Sequence, residues 1–246
     1  MRLRLALAAG FAACFVAGAN AGDNYNWSGL YVGAHGGYAW GDASTTDDIK
    51  DWCVPGDTAC INKYVGPFNF DLDGAFGGGT IGFNFQHSGI VLGPEAEIGY
   101  LDLTGSRRTD SSNPTKYQTL EVDGGFYAVL GGRLGVAFDN TLIYGKGGWV
   151  WWDTDATQTT TTPGFTTHGT GAYSGWAYGG GIEHALGGGW SVKAEYLHFD
   201  VDTEGGDQTR DADGYTFNNW TELDADTVKV GVNYKFGSRD EPVPLK

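Results

Sequence analysis

Seven charged side chains sit in alternating segments where their neighbours are apolar or small: Glu95, Glu97, Arg133, Glu183, Lys193, Glu195 and Lys229. Ala96 separates the first two, and Val228 and Val230 flank the last. A strand sends successive side chains to opposite faces, so these charges belong to a polar phase that backs an apolar one. Counted from one end of each strand they lie about three to seven residues in, which puts acids and bases at comparable depth. Charges gathered in a narrow space are tolerable only when paired. The spacing therefore predicts a salt-bridged interior layer, and the alternative chemistry for the same groups is a proton or ion pathway.

Other reactive side chains make weaker patterns. Ser174 and His168 fall in one region, but no acid is placed to orient the histidine, so nothing has the logic of a nucleophile and its base. The chain does not read as an enzyme. Cys53 and Cys60 lie in an acidic segment without a nearby His, and in an oxidising compartment they predict a local disulfide rather than a metal site. Asp200, Asp202 and Glu204, with Asp211 at the twelfth position, partly match a calcium-binding loop. That match lacks the flanking helices and the terminal Glu. No resident cofactor is expected.

The elements that must carry these residues are strands. Residues 227–236 alternate without a break: Val228, Val230, Val232, Tyr234 and Phe236 share one face, and Lys229, Asn233 and Lys235 the other. The same period recurs over 29–40, 75–86, 90–103, 119–138, 141–152, 174–186 and 190–199, which gives an even number of strands. In 119–138 the apolar face is Leu120, Val122, Phe126, Ala128, Leu130, Leu134, Val136 and Phe138. In 141–152 the run Gly145-Lys146-Gly147-Gly148 blurs the phase. Connections alternate between long (41–74, 104–118, 153–173, 200–221) and short (87–89, 139–140, 187–189), and the short ones have turn-forming residues. This predicts an all-β, eight-stranded antiparallel transmembrane β-barrel with four long extracellular loops and three short periplasmic turns. Trp27, Trp40, Trp151, Trp152, Trp176 and Trp190 lie near strand ends, where an interfacial girdle would stand. A soluble lipocalin-like barrel would carry scattered Lys and Glu outside instead of the Gly-lined polar face seen here.

Export fits this reading. Arg2 and Arg4 precede a short apolar run that ends at Ala19-Asn20-Ala21, so 1–21 is expected to be a signal peptide, 22–236 the barrel and 237–246 a disordered periplasmic tail. A net charge of -15 argues against nucleic acid as a partner. The acids concentrate in two predicted loops, seven Asp within 41–73 and eight acids within 202–226. Loose divalent cations on those loops, bridging to anionic lipopolysaccharide, are the expected ligands.

Trp27-Ser28-Gly29-Leu30-Tyr31-Val32-Gly33-Ala34, followed by Gly37-Tyr38-Ala39-Trp40-Gly41, resembles the first strand of the small "porin family" outer-membrane proteins of proteobacteria. These belong to the OmpA-like β-barrel superfamily, and the likeness is to its RopB-like branch. Gly179 to Leu186 and Trp190 to Leu197 are similar to that family's penultimate hairpin. Residues 228–236 resemble its terminal assembly signal, with Gly231, Tyr234 and Phe236 as the marked positions. This chain departs from the pattern by continuing past Phe236. The resemblance implies an envelope protein in the outer membrane, among its lipid and lipopolysaccharide, inserted by the barrel-assembly machinery. It also implies roles in membrane integrity, host-surface contact or hemin binding. Of the five scattered histidines, His35 is a lumen candidate and His168 a loop candidate that could ligate hemin. The reading is a structural barrel closed by its charge network. Its alternatives are a surface binding protein acting through the acidic loops and a narrow diffusion pore.

Overall fold

The computed structural model describes residues 25–47, 66–110, 117–160, 166–202, 206–210 and 216–237. The strands are β1 (Gly29–Asp47), β2 (Gly66–His87), β3 (Ile90–Leu101), β4 (Gly105–Asp110), β5 (Tyr117–Asp123), β6 (Gly125–Phe138), β7 (Thr141–Thr160), β8 (Thr166–Gly187), β9 (Trp190–Asp202), β10 (Gly206–Arg210) and β11 (Thr216–Lys235). β4 prolongs β3, β5 leads into β6, and β10 prolongs β9, so the wall has eight staves. Each stave pairs antiparallel with the next, and β1 pairs with β11 from Tyr31↔Lys235 to Thr46↔Trp220, which closes the barrel. Closure removes the sheet edges that would otherwise leave backbone groups unpaired.

Three two-residue turns, Ser88-Gly89, Asp139-Asn140 and Gly188-Gly189, join staves at one end. Ser88, Gly89, Asp139, Gly188 and Gly189 all have positive φ, the backbone that suits tight hairpins between right-twisted strands. The expected long connections are shorter than their sequence suggests. β1 and β2 stay paired up to Asp47↔Gly66, and β7 and β8 up to Thr159↔Thr166. These extensions are rich in Thr, Ser and Asp, so they lack the apolar period that marks a strand beside lipid. Their β-branched threonines nevertheless favour the ladder. The expected single strand 119–138 is broken at Gly124, where β5 turns to pair with β4 and β7.

The apolar phase faces outward. Ile98, Phe126, Leu130, Leu134, Phe138 and Val230 are exposed, whereas Arg133, Glu95, Glu97 and Lys229 are buried. That inverts a soluble protein and matches a wall set in hydrocarbon. The expected tryptophan girdle divides. Trp151, Trp176 and Trp190 face outward, but Trp27 and Trp152 are buried in the interior. Trp151 and Trp152 are adjacent in one strand and therefore cannot share a face.

Candidate functional site

The interior is layered. Toward the long-connection end lies an apolar layer that includes Leu72, Phe76, Leu101, Leu103, Tyr127, Val150, Trp152, Phe199 and Val201. At the short-turn end lies a smaller one of Trp27, Val91, Leu142, Tyr144 and Ala185. Between them sit the charges. Tyrosine rings take part in both, with their rings in an apolar layer and their hydroxyls reaching into the charged one.

β3, β7, β9 and β11 supply the upper tier. Lys229 Nζ donates to both oxygens of Glu97 at 2.6 Å and stands 2.7 Å from Glu195 Oε1. Lys146 Nζ lies 2.6 Å from Glu95, 2.7 Å from Glu97 and 3.3 Å from Glu195. Tyr31, Tyr127 and Tyr144 each donate a hydroxyl to one carboxylate: to Glu95 at 2.5 Å, Glu97 at 2.9 Å and Glu195 at 2.7 Å. His35 bridges Tyr127 at 2.8 Å and Thr80 at 3.2 Å. The lower tier is centred on Arg133, whose Nη1 donates to Glu183 at 2.7 Å and whose Nε donates to Asn84 at 3.0 Å. Its guanidinium stacks over the Tyr31 ring, 4.4 Å from the centroid. Ser191 and Asn233 donate to the other oxygen of Glu183 at 2.5 and 2.8 Å.

All seven residues singled out from the sequence are therefore buried in this layer, and six of them are held in one set of ion pairs. Lys193 is the seventh. Its Nζ is buried and has no hydrogen-bond partner among the described residues. Sequence reasoning missed Lys146, because glycines on either side erase the apolar contrast that reveals phase. The signal was there: Lys146 keeps step with Leu142 and Tyr144 at intervals of two. With it, the layer holds four carboxylates (Glu95, Glu97, Glu183, Glu195) and four cations (Arg133, Lys146, Lys193, Lys229). A balanced set is what a low-dielectric interior can accommodate.

Large inner side chains need small neighbours. A Cβ on Gly82 would overlap the Tyr31 ring and hydroxyl, and one on Gly99 would meet the Tyr127 ring. The glycines of the polar phase are thus the recesses into which the tyrosines fold.

Among the described side chains, the outer wall carries charge of one sign. Near the long-connection end, Asp200, Asp224, Asp42 and Asp71 stand side by side on β9, β11, β1 and β2, joined by the pairings Asp224↔Asp200, Asp42↔Asp224 and Asp42↔Asp71. One step below, Asp226 accepts from Tyr196 at 2.6 Å and contacts His198 Nδ1 at 2.9 Å, and Tyr38 donates to Asp73. Where side chains are described, every Lys and Arg points into the barrel or over its short-turn mouth.

The remaining sequence candidates divide. Asp200 is exposed on the wall; the side chain of Asp202, and Glu204 and Asp211, lie outside what is described, as do Cys53 and Cys60. Among the described residues no group of three acid, His or Cys side chains could hold a metal ion. Ser174 and His168 are six positions apart on one uninterrupted strand, about 20 Å along β8 at the usual rise, so they are not a nucleophile–base pair. Gly231, Tyr234 and Phe236 end the last stave, with Tyr234 packed on Trp190 and Phe236.

Residues 9–236 match the profile of the outer membrane protein beta-barrel domain. The chain belongs to that family. It is 28% identical over 218 residues to the 31 kDa outer-membrane immunogenic protein of Brucella melitensis, covering 87% of this chain and 85% of that protein. It is 29% identical over 216 residues to the 25 kDa outer-membrane immunogenic protein of Brucella abortus, covering 86% and 80%. Among solved structures, OprG from Pseudomonas aeruginosa covers 87% of this chain and all of its own at 12% identity and a TM-score of 0.49. The protein is a β-barrel of the Gram-negative outer membrane, with its apolar outer face against lipid. Short turns of such barrels face the periplasm, so the aspartate row lies at the extracellular boundary.

Proposed function

We propose that this barrel is a structural element of the outer membrane with a closed interior, contributing to envelope integrity and to contact at the cell surface. One observation carries the reading: among the described residues, the charged layer is flanked on both sides by clusters of buried apolar side chains. An eight-stranded barrel is only wide enough for its own side chains. A pore would need a wetted lining, and apolar constrictions exclude water as well as ions.

The outward aspartates support the surface part of the proposal. Carboxylates placed directly opposite one another repel, and the outer leaflet beside them is itself anionic. Divalent cations shared between the aspartate row and lipopolysaccharide phosphates would relieve both. Host-surface binding through the more distal acidic segments is the second face of the same reading. Hemin has only single histidines to recommend it.

The test is planar-bilayer recording of the refolded protein, its folding checked by heat-modifiable mobility. A silent bilayer is the expected result. Reproducible single-channel steps would overturn the closed interior and make diffusion the working function.

A further inference from the structure

We propose that residues 25–28, just ahead of β1, are a periplasmic cork that seals the barrel mouth and clasps the first stave to the last. The inference rests on the closed interior proposed above and adds a separate device to it. These residues form no ladder, yet Trp27 is only 2% exposed, less than most strand residues. Its ring fills the mouth between Val91 of β3, Leu142 and Tyr144 of β7 and Ala185 of β8.

Hydrogen bonds then fix the segment to the staves around it. The Trp27 backbone N–H donates to Gln86 Oε1 at 2.6 Å, and the Gln86 N–H donates to Ser28 Oγ at 3.0 Å, so β2 and the segment exchange bonds. Ser28 N–H donates to Asn26 Oδ1 at 2.9 Å and turns the chain inward. Tyr25 packs edge-on against Trp27 with centroids 4.9 Å apart. From the end of β11, Lys235 places its ammonium 4.3 Å from the Tyr25 centroid and donates to the Asn26 carbonyl. The cork thus touches β2, β3, β7, β8 and β11. No partly assembled sheet presents all five around one opening, so the cork seats only when the barrel has closed.

The indole Nε1 of Trp27 is buried with no hydrogen-bond partner among the described residues. The side chain is therefore held by its volume, and the polar contacts come from the backbone around it. Directly above it lies the Arg133–Glu183 tier, which the cork shields from periplasmic water.

The test places a thiol on the wall that the Trp27 ring covers, with Ala185→Cys in a Cys53→Ser, Cys60→Ser background. The full exported chain is refolded in detergent micelles, where both ends meet water, and exposed to a charged methanethiosulfonate reagent. With Trp27 in place the thiol is expected to react slowly, and Trp27→Phe should keep it slow, because bulk suffices. Trp27→Gly should speed the reaction at least tenfold, and Lys235→Gln should give an intermediate gain. A thiol that already reacts fast with Trp27 present would overturn the cork, as would one that stays protected in Trp27→Gly. If Trp27→Gly does not refold, an unchanged rate in Lys235→Gln overturns it instead. Conductance recorded on the same samples separates the two proposals. Channels in the parent protein sink the closed interior, whereas a reactive thiol in a silent barrel sinks the cork alone.

Discussion

Lys229 and Glu97, 132 residues apart in sequence, meet in the barrel interior with the ammonium 2.6 Å from both carboxylate oxygens. The pair joins β3 to β11 across the interior rather than between neighbouring staves. Ladder hydrogen bonds hold the wall together locally, but this contact and its companions through Lys146 and Glu195 tie opposite sides of it.

Breaking that tie from one side should be costly. Lys229→Met leaves Glu97 and Glu195 buried with less countercharge, and removing one partner of a buried pair typically costs about 3–5 kcal/mol. Adding Glu97→Gln should restore part of the loss, because the second change removes the uncompensated carboxylate. Urea titrations of folding into lipid vesicles would measure both. If the double variant is less stable than the single by the full cost of a second independent loss, the coupling described here is absent.

Two glycines of β2 should respond in opposite ways. Gly82 faces inward, and a Cβ there would strike the Tyr31 ring, so Gly82→Ala should displace Tyr31 from Glu95 and cost about 1–3 kcal/mol. Gly79, three positions earlier, faces lipid, and its added Cβ would find its nearest neighbour at 3.6 Å. Gly79→Ala should be neutral or stabilising by about 0.5–1 kcal/mol, since it only lowers the entropy of the unfolded strand. Equal losses at both positions would contradict the assigned faces.

What could be read from the sequence follows from where lipid imposes contrast. The outward residues of β3, β6, β9 and β11 alternate with charged or small ones, so their phase and the interior place of Glu95, Arg133, Lys193 and Lys229 were visible. Contrast fails in β7, where glycines surround Lys146, and in the threonine-rich extensions, whose sequence carries no apolar period. Tyrosine misleads for another reason. Tyr31, Tyr127 and Tyr144 bring apolar rings and polar hydroxyls, so hydropathy alone does not assign them to the charged layer. Trp27 carried no periodic signal at all, since its partners come from staves distant in sequence.

The aspartate row offers a prediction about ions. Asp224 has Asp42 on one side and Asp200 on the other, each directly opposite it in the ladder. Like charges so placed are destabilising, by about 0.2–1 kcal/mol for a cross-strand pair. Replacing the central one with Asp224→Asn should therefore raise the unfolding temperature in EDTA at low ionic strength. Magnesium in the millimolar range should raise the unfolding temperature of the parent protein more than that of the variant, because it supplies the countercharge that the variant needs less. Monovalent salt at equal ionic strength separates screening from bridging: screening alone would close the gap equally well, whereas shared coordination responds selectively to the divalent ion. If the variant is no more stable than the parent in EDTA, the repulsion is already neutralised by neighbouring side chains, and the proposed divalent bridge to lipopolysaccharide loses its physical basis.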